Sequence, residues 1–213
     1  MAQGTRVSGG LVIMSSASGP ARIIALQYNP DSLSRTLQVQ AVGESQDRSE
    51  AFRIKAPAVE TIKVDAEIDL TDQLESPAQH PAASEFGLHP YLAALETIVH
   101  PTTRQLESNN ALAAAGTLEI APMEAPLTLF VWSKNRVLPV RVTEFSITEE
   151  AFDASLNPIR AKVSLGMRVL SVQDVGFSHK AGQLFMAYLR QKEVFAARHQ
   201  GGQLGQLGLS SLP

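Results

Sequence analysis

Thr61-Ile62-Lys63-Val64-Asp65-Ala66-Glu67-Ile68-Asp69-Leu70 decides how this chain is read. Ile62, Val64, Ala66, Ile68 and Leu70 fall in one phase, while Thr61, Lys63, Asp65, Glu67 and Asp69 fall in the other. A period of two with one apolar phase marks a strand with one face on a core and the other facing water or a partner. A helix would scatter the same apolar groups round its circumference. Ile159 to Val169 repeats the pattern. There Ile159, Ala161, Val163, Leu165, Met167 and Val169 share one side, and Arg160, Lys162, Ser164 and Arg168 the other. Two strands of this kind predict a mostly β fold with α-helical additions.

Outward from these strands the pattern is more broken. Ala21 to Tyr28, with Ile24, Leu26 and Tyr28 on one face, and Thr36 to Val42, with Leu37, Val39 and Ala41 in phase, read as a hairpin. Asn29-Pro30-Asp31-Ser32 between them is turn chemistry, because proline fixes φ while Asn and Asp bond nearby backbone. Thr71 to Phe86 is rich in proline, alanine and polar residues and reads as a loop. A short helix follows from His89 or Pro90 to Val99, with Leu92, Leu95 and Val99 on one stripe and Pro101 beyond its end. Thr102 to Gly116 carries no decisive pattern.

A second β block opens with a short strand at Thr117 to Ile120, then Leu127 to Ser133, whose nearly continuous apolar run suits burial on both faces. Between Val137 and Ile147 the phase changes, from Leu138, Val140 and Val142 to Phe145 and Ile147, so a bulge is expected near Thr143-Glu144. Glu149 to Pro158 reads as a long hairpin connection. From Lys180 to Arg198 the period is helical, and Ala181, Leu184, Phe185, Tyr188, Leu189 and Phe195 form a stripe wide enough to bury. The ends, Met1 to Gly10 and the Gly-Gln-Leu repeats of Gly201 to Pro213, read as loose. The expected division is a β domain over 1–178, a C-terminal helix over 179–199 and a flexible tail over 200–213.

Composition closes off several function classes. The chain has 213 residues, 44% hydrophobic and 18% charged, an ordinary globular mixture that argues against general disorder. A formal net charge of −3 gives no basic excess to mark a nucleic-acid binder. With no cysteine, disulfides, thiolate chemistry and cysteine-built zinc sites are excluded. No apolar run approaches the roughly 20 residues of a membrane span, and Leu11 to Met14 is too short for a secretory signal. The chain is therefore expected to be made in the cytoplasm. His80, His89, His100, His179 and His199 have no metal-ligand spacing, and no nucleophile elbow or phosphate-cradling glycine loop occurs. A calcium site from Asp65, Glu67 and Asp69 would need further oxygens converging from other directions. No catalytic site and no cofactor are expected.

Four segments in order carry a resemblance: Leu26-Gln27-Tyr28-Asn29-Pro30, the strand ending Glu67-Ile68-Asp69-Leu70, Phe130-Val131-Trp132, and Phe152-Asp153-Ala154-Ser155-Leu156-Asn157-Pro158-Ile159-Arg160-Ala161. Over roughly Ala21 to Val172 their order and spacing resemble the tube-domain family of contractile injection systems, the phage-tail-like particles of bacteria. Tyr28, Asn29, Pro30, Trp132, Phe152, Pro158, Arg160 and Ala161 are the positions that match. Ser133 stands where members often have glycine, and a helix and tail follow where many members carry a LysM module.

The resemblance implies a phage-tail-tube-like β-barrel or sandwich with no enzymatic role. It implies a homo-oligomeric ring of six copies, whose inner wall is a continuous β-barrel built from hairpins of neighbouring chains. The partners implied are spike or hub, tube, and baseplate or sheath proteins, in a particle assembled in the bacterial cytoplasm and kept there or released. On this reading the subunit is an adaptor joining the spike complex to the tube, or a tube-like ring elsewhere in the particle. Lys63, Asp65, Glu67, Asp69, Arg160, Lys162 and Arg168 are then candidates for the lumen wall, against the alternative of a solvated outer face. If the two strands are neighbours, their opposite charges form cross-strand pairs that set register. Leu184, Phe185, Tyr188 and Leu189 are a candidate subunit interface, against packing on the chain's own core. The competing function is a monomeric β-barrel that binds a small ligand or carbohydrate.

Overall fold

Ile62, Val64, Ala66, Ile68 and Leu70 are all buried, and Ala161, Val163, Leu165, Met167 and Val169 face the same core from the neighbouring strand. In the computed structural model, which describes residues 7–14, 20–41, 53–116 and 123–212, these strands are central to one antiparallel sheet. Its strands are β1 (Gly10–Met14), β2 (Pro20–Ala25), β3 (Ser34–Ala41), β4 (Ile54–Asp69), β5 (Thr128–Ser133), β6 (Arg136–Phe152) and β7 (Pro158–Val169). They lie in the order β2-β1-β5-β6-β7-β4-β3. The fold is mostly β with α, as the alternating segments predict.

Among the described residues there are six α-helices: α1 (Thr71–Leu74), α2 (Pro81–Phe86), α3 (His89–Glu96), α4 (Thr103–Ala114), α5 (Val172–Val175) and α6 (Lys180–Ala197). Leu88, Leu92, Leu95 and Ile98 from the α3 region, and Phe185 and Tyr188 from α6, join the strand residues in one core.

The predicted hairpin between Ala21–Tyr28 and Thr36–Val42 does not form. β2 pairs with β1 and β3 with β4, so the two lie at opposite edges of the sheet. The Leu11–Met14 run supplies the closer strand partner, and side chains between β2 and β3 are tied elsewhere. Gln27 bonds the backbone of Asp69 in both directions, with Nε2 to the carbonyl at 2.6 Å and the Asp69 N–H to Oε1 at 2.9 Å. Asn29 accepts from the Gly9 N–H at 2.9 Å and donates to the Val7 carbonyl at 2.8 Å. A side-chain amide that pairs with both groups of one residue imitates a strand neighbour. Tyr28 leaves the expected apolar face and is exposed.

Other corrections are local. The segment read as a loop before Gly87 contains α1 and α2. The α3 region buries Ile98 where Val99 was expected, and Val99 is exposed. Thr102 to Gly116 holds α4, started by a capping box in which Thr102 and Gln105 satisfy each other's backbone N–H groups. The expected bulge sits between Val142 and Glu144. β6 continues to Phe152, so the connection to β7 shrinks to residues 153–157. Phe195 falls off the buried stripe of α6 and is exposed. The tail makes a single 3-10 turn, Leu204–Leu207, with every side chain exposed. The strand expected at Thr117 to Ile120 lies outside the described residues.

Candidate functional site

Adjacent antiparallel strands place opposed residues on one face, so pairing of β4 with β7 decides where the predicted charges go. Glu67 lies opposite Lys162, Asp69 opposite Arg160 and Asp65 opposite Ser164. On the other side of β7, Glu150 lies opposite Arg160, Thr148 opposite Lys162, Ser146 opposite Ser164 and Glu144 opposite Gly166. β3 extends the same face with Ser34 and Thr36, opposite Lys63 and Thr61. The result is a polar wall over β6-β7-β4-β3, backed by the apolar core.

The wall is ordered by ion pairs. Arg160 meets Asp69 at 2.6 Å, Lys162 meets Glu150 at 2.9 Å, and Lys63 meets Glu144 at 2.8 Å. The Ser164 hydroxyl donates to Asp65 at 2.5 Å. Lys63 and Glu144 are separated by β7, and the Glu144 side chain crosses that strand over Gly166. A Cβ there would stand 2.9 Å from the Glu144 Cβ, which gives glycine a steric reason in the middle of a strand. Arg168 turns away to Asp174, at 2.7 Å, in the α5 turn.

These contacts shift the wall's titrations. The Thr71 hydroxyl and N–H, helped by Arg160, hold the Asp69 carboxyl below its usual value. Hydrogen bonds from Lys63 to Glu144, Lys162 to Glu150 and Arg160 to Asp69 push the three bases upward. With Arg168 paired to Asp174, the wall keeps Lys63, Arg141, Arg160 and Lys162 beside Asp65, Glu67, Asp69, Glu144 and Glu150, so the four-strand face is close to charge-balanced. A groove of about 280 Å³ runs over it between Asp65, Glu67, Ser146, Thr148, Lys162 and Ser164.

Both sides of the wall end in unpaired backbone. β5 pairs with β6 only as far as Val140, so Arg141 to Phe152 has β7 on one side and no strand on the other among the described residues. β3 likewise pairs with β4 alone. The Leu70 N–H donates to the Ile159 carbonyl and the Leu170 N–H to the Pro139 carbonyl, so residues 160, 162 and 164 of β7 turn their backbone groups to β6. Alternation from those bonds directs the N–H groups of Ile147 and Glu149 toward the open side.

The α6 stripe is divided. Phe185 and Tyr188 are buried in the chain's own core, while Leu184 and Leu189 are half-buried. A polar cluster that the alternation concealed pins this helix. Glu60, only 3% exposed, receives Arg35 at 2.6 Å and Lys192 at 3.1 Å, and the Tyr188 hydroxyl lies 3.3 Å away. Lys192 also sits 4.1 Å above the Tyr188 ring. The sequence signal was an acid, Glu60, in the phase that becomes apolar two residues later.

Of the positions that match the tube-domain pattern, Pro158 and Ala161 are buried, Arg160 belongs to the wall, and Trp132 stacks on Phe130 with ring centroids 5.7 Å apart. Phe152 is exposed beside the β6–β7 tip. Pro30 is half-buried in the connection after Asn29. Among the described residues no cluster of histidine and carboxylate side chains is placed to hold a metal ion, and no helix is long and apolar enough to cross a membrane. No family model matches the chain, and no curated protein matches it.

Proposed function

We propose that the chain is a structural ring subunit of the inner tube or baseplate of a contractile injection system, joining the spike complex to the tube. One observation carries this reading: the polar wall is bounded on both sides by open strand edges. Long unpaired edges template association and are normally blunted or covered. Joining β6 of one copy to β3 of the next would satisfy both edges and continue the wall from copy to copy. Closure into a ring leaves no free edge.

The resemblance supplies the six-fold ring, the particle and its spike, tube and sheath partners. The wall supplies a reason for the arrangement. A nearly charge-balanced face, with Lys63, Arg160 and Lys162 each paired to an acid within the copy, would line a wetted channel without a strong field of either sign. The chain's own barrel would close behind the wall through Gln27. Its work is positional, carried by buried contact area, with no reacting group.

Glu149→Pro tests the edge directly. It removes an N–H from the open side of β6 and leaves the β6–β7 hydrogen bonds in place, which is where proline is tolerated in sheets. Negative-stain images of the purified wild-type chain should show rings, and the variant should remain folded but unassembled. Rings of unchanged diameter in the variant would refute the edge-joined wall.

A further inference from the structure

β3 and the first part of β4 leave the sheet as a two-stranded ribbon. β4 pairs with β3 from Ile54 onward, but with β7 only from Thr61. Two strands alone are marginal in water, so what covers the ribbon's faces matters. Opposed residues share a face, and Leu37 lies opposite Glu60, whose side chain meets Tyr188 and Lys192 of α6. Val39 follows Leu37 in phase, and Ile54 lies opposite Ala41, two residues further on. The side of the ribbon that α6 begins to cover is therefore apolar, and beyond the helix it is bare. Leu37, Val39 and Ile54 are 49%, 67% and 73% exposed. Scattered apolar side chains need no explanation, but a contiguous patch marks a contact surface.

The chain that leaves α6 has matching chemistry. After Arg198 it carries no Asp, Glu, Lys or Arg, yet it places leucine at 204, 207, 209 and 212. Tails that stay in water are normally charged and poor in apolar residues. Leu204–Leu207 forms a 3-10 turn, in which side chains three apart eclipse, so Leu204 and Leu207 share one side. The Leu209 N–H donates to the Leu204 carbonyl at 3.1 Å, and Gly208, at φ 73°, supplies the left-handed residue that closes the turn. All four leucines are exposed. A preformed turn loses less freedom on docking than an unordered segment does.

α6 delivers this tail to the ribbon. Lys192 is held 3.1 Å from Glu60, and the helix runs only about 8 Å past it to its end at Ala197. Ile54 stands about 20 Å from Glu60 along β4. The stretch from Arg198 to Gln203 spans up to about 20 Å when extended, so the leucine turn reaches the bare patch without unfolding.

We propose that residues 203–212 are a strap acting within one chain: the leucine turn folds back from α6 and covers Leu37, Val39 and Ile54 of the same molecule. The structure holds the strap open. Closed, it keeps the free subunit from associating through this apolar face. It covers a face and leaves the outer backbone edge of β3 free, so it goes beyond the edge-joined ring and does not depend on it.

Disulfide trapping tests the strap, since the chain has no cysteine of its own. Two full-length double variants are compared: Val39→Cys with Leu207→Cys, and Gln38→Cys with Leu207→Cys. Gln38 is exposed next to Val39 but points to the opposite face, so both pairs lie at the same reach. The expected result is an intrachain disulfide that forms at least tenfold faster in the Val39 pair, at a rate independent of protein concentration. Equal rates in the two pairs overturn the proposal, because the tail then only wanders past the ribbon. Linkage between chains that rises with concentration also overturns it, by making a second copy's tail the occupant. Where a double variant fails to fold, the single variant Val39→Cys decides. Removing residues 201–213 should raise its labelling by iodoacetamide at least fivefold, and an unchanged rate overturns the strap. None of these results bears on the ring, which rests on the β6 and β3 edges.

Discussion

Single residues carry information that composition hides. Gly166 occupies a strand position where glycine ordinarily weakens the sheet, yet Glu144 crosses over it to reach Lys63. Gly166→Ala should displace Glu144 and lower stability only slightly, because exposed ion pairs contribute little. A double-mutant cycle with Lys63→Met checks it: the penalty should shrink when Lys63 is already gone. Acid sensitivity belongs to this scale too. Asp69 is held low by Thr71 and Arg160, and Asp153 by the side chain and N–H of Asn157. Both carboxyls have lower values folded than unfolded, so their contribution is present above about pH 4 and lost as pH falls through the folded values. Melting temperature should decline below about pH 4, and Asp153→Asn should flatten that decline.

At the scale of elements, the β4 and β7 strands were legible because alternation persists over ten residues and the charges fall on one side. The bulge at Val142–Glu144 was legible for the same reason, as a break in phase. α1 and α2 were not, because four and six residues are too few to establish a helical period. α4 buries no residue, so it has no apolar stripe to announce it, and its signal was the Thr102–Gln105 capping box. α6 was visible from its stripe, but its anchor was not: the acid, the bases and the phenol come from three elements far apart in sequence. Glu60→Gln leaves Arg35 and Lys192 facing a neutral amide. The expected cost is about 2 kcal/mol, the range of one buried charged hydrogen bond, measured by denaturant unfolding. A loss below about 0.5 kcal/mol would mean that α6 is held by Phe185 and Tyr188 packing alone.

For the whole molecule, the sheet order was the least legible feature. Local turn chemistry at Asn29-Pro30-Asp31-Ser32 favours a hairpin, but long-range pairing decides where β2 and β3 go, and Gln27 and Asn29 contact residues distant in sequence. The candidate wall was readable strand by strand. Its extension over β6, the crossing at Gly166 and the two open edges appear only when register is known. The account predicts that copies join at those edges. Native mass spectrometry of the purified chain at tens of micromolar measures this most directly. A closed assembly of about six copies, absent in Glu149→Pro, is the predicted result; a 22.9 kDa monomer at every concentration would contradict it.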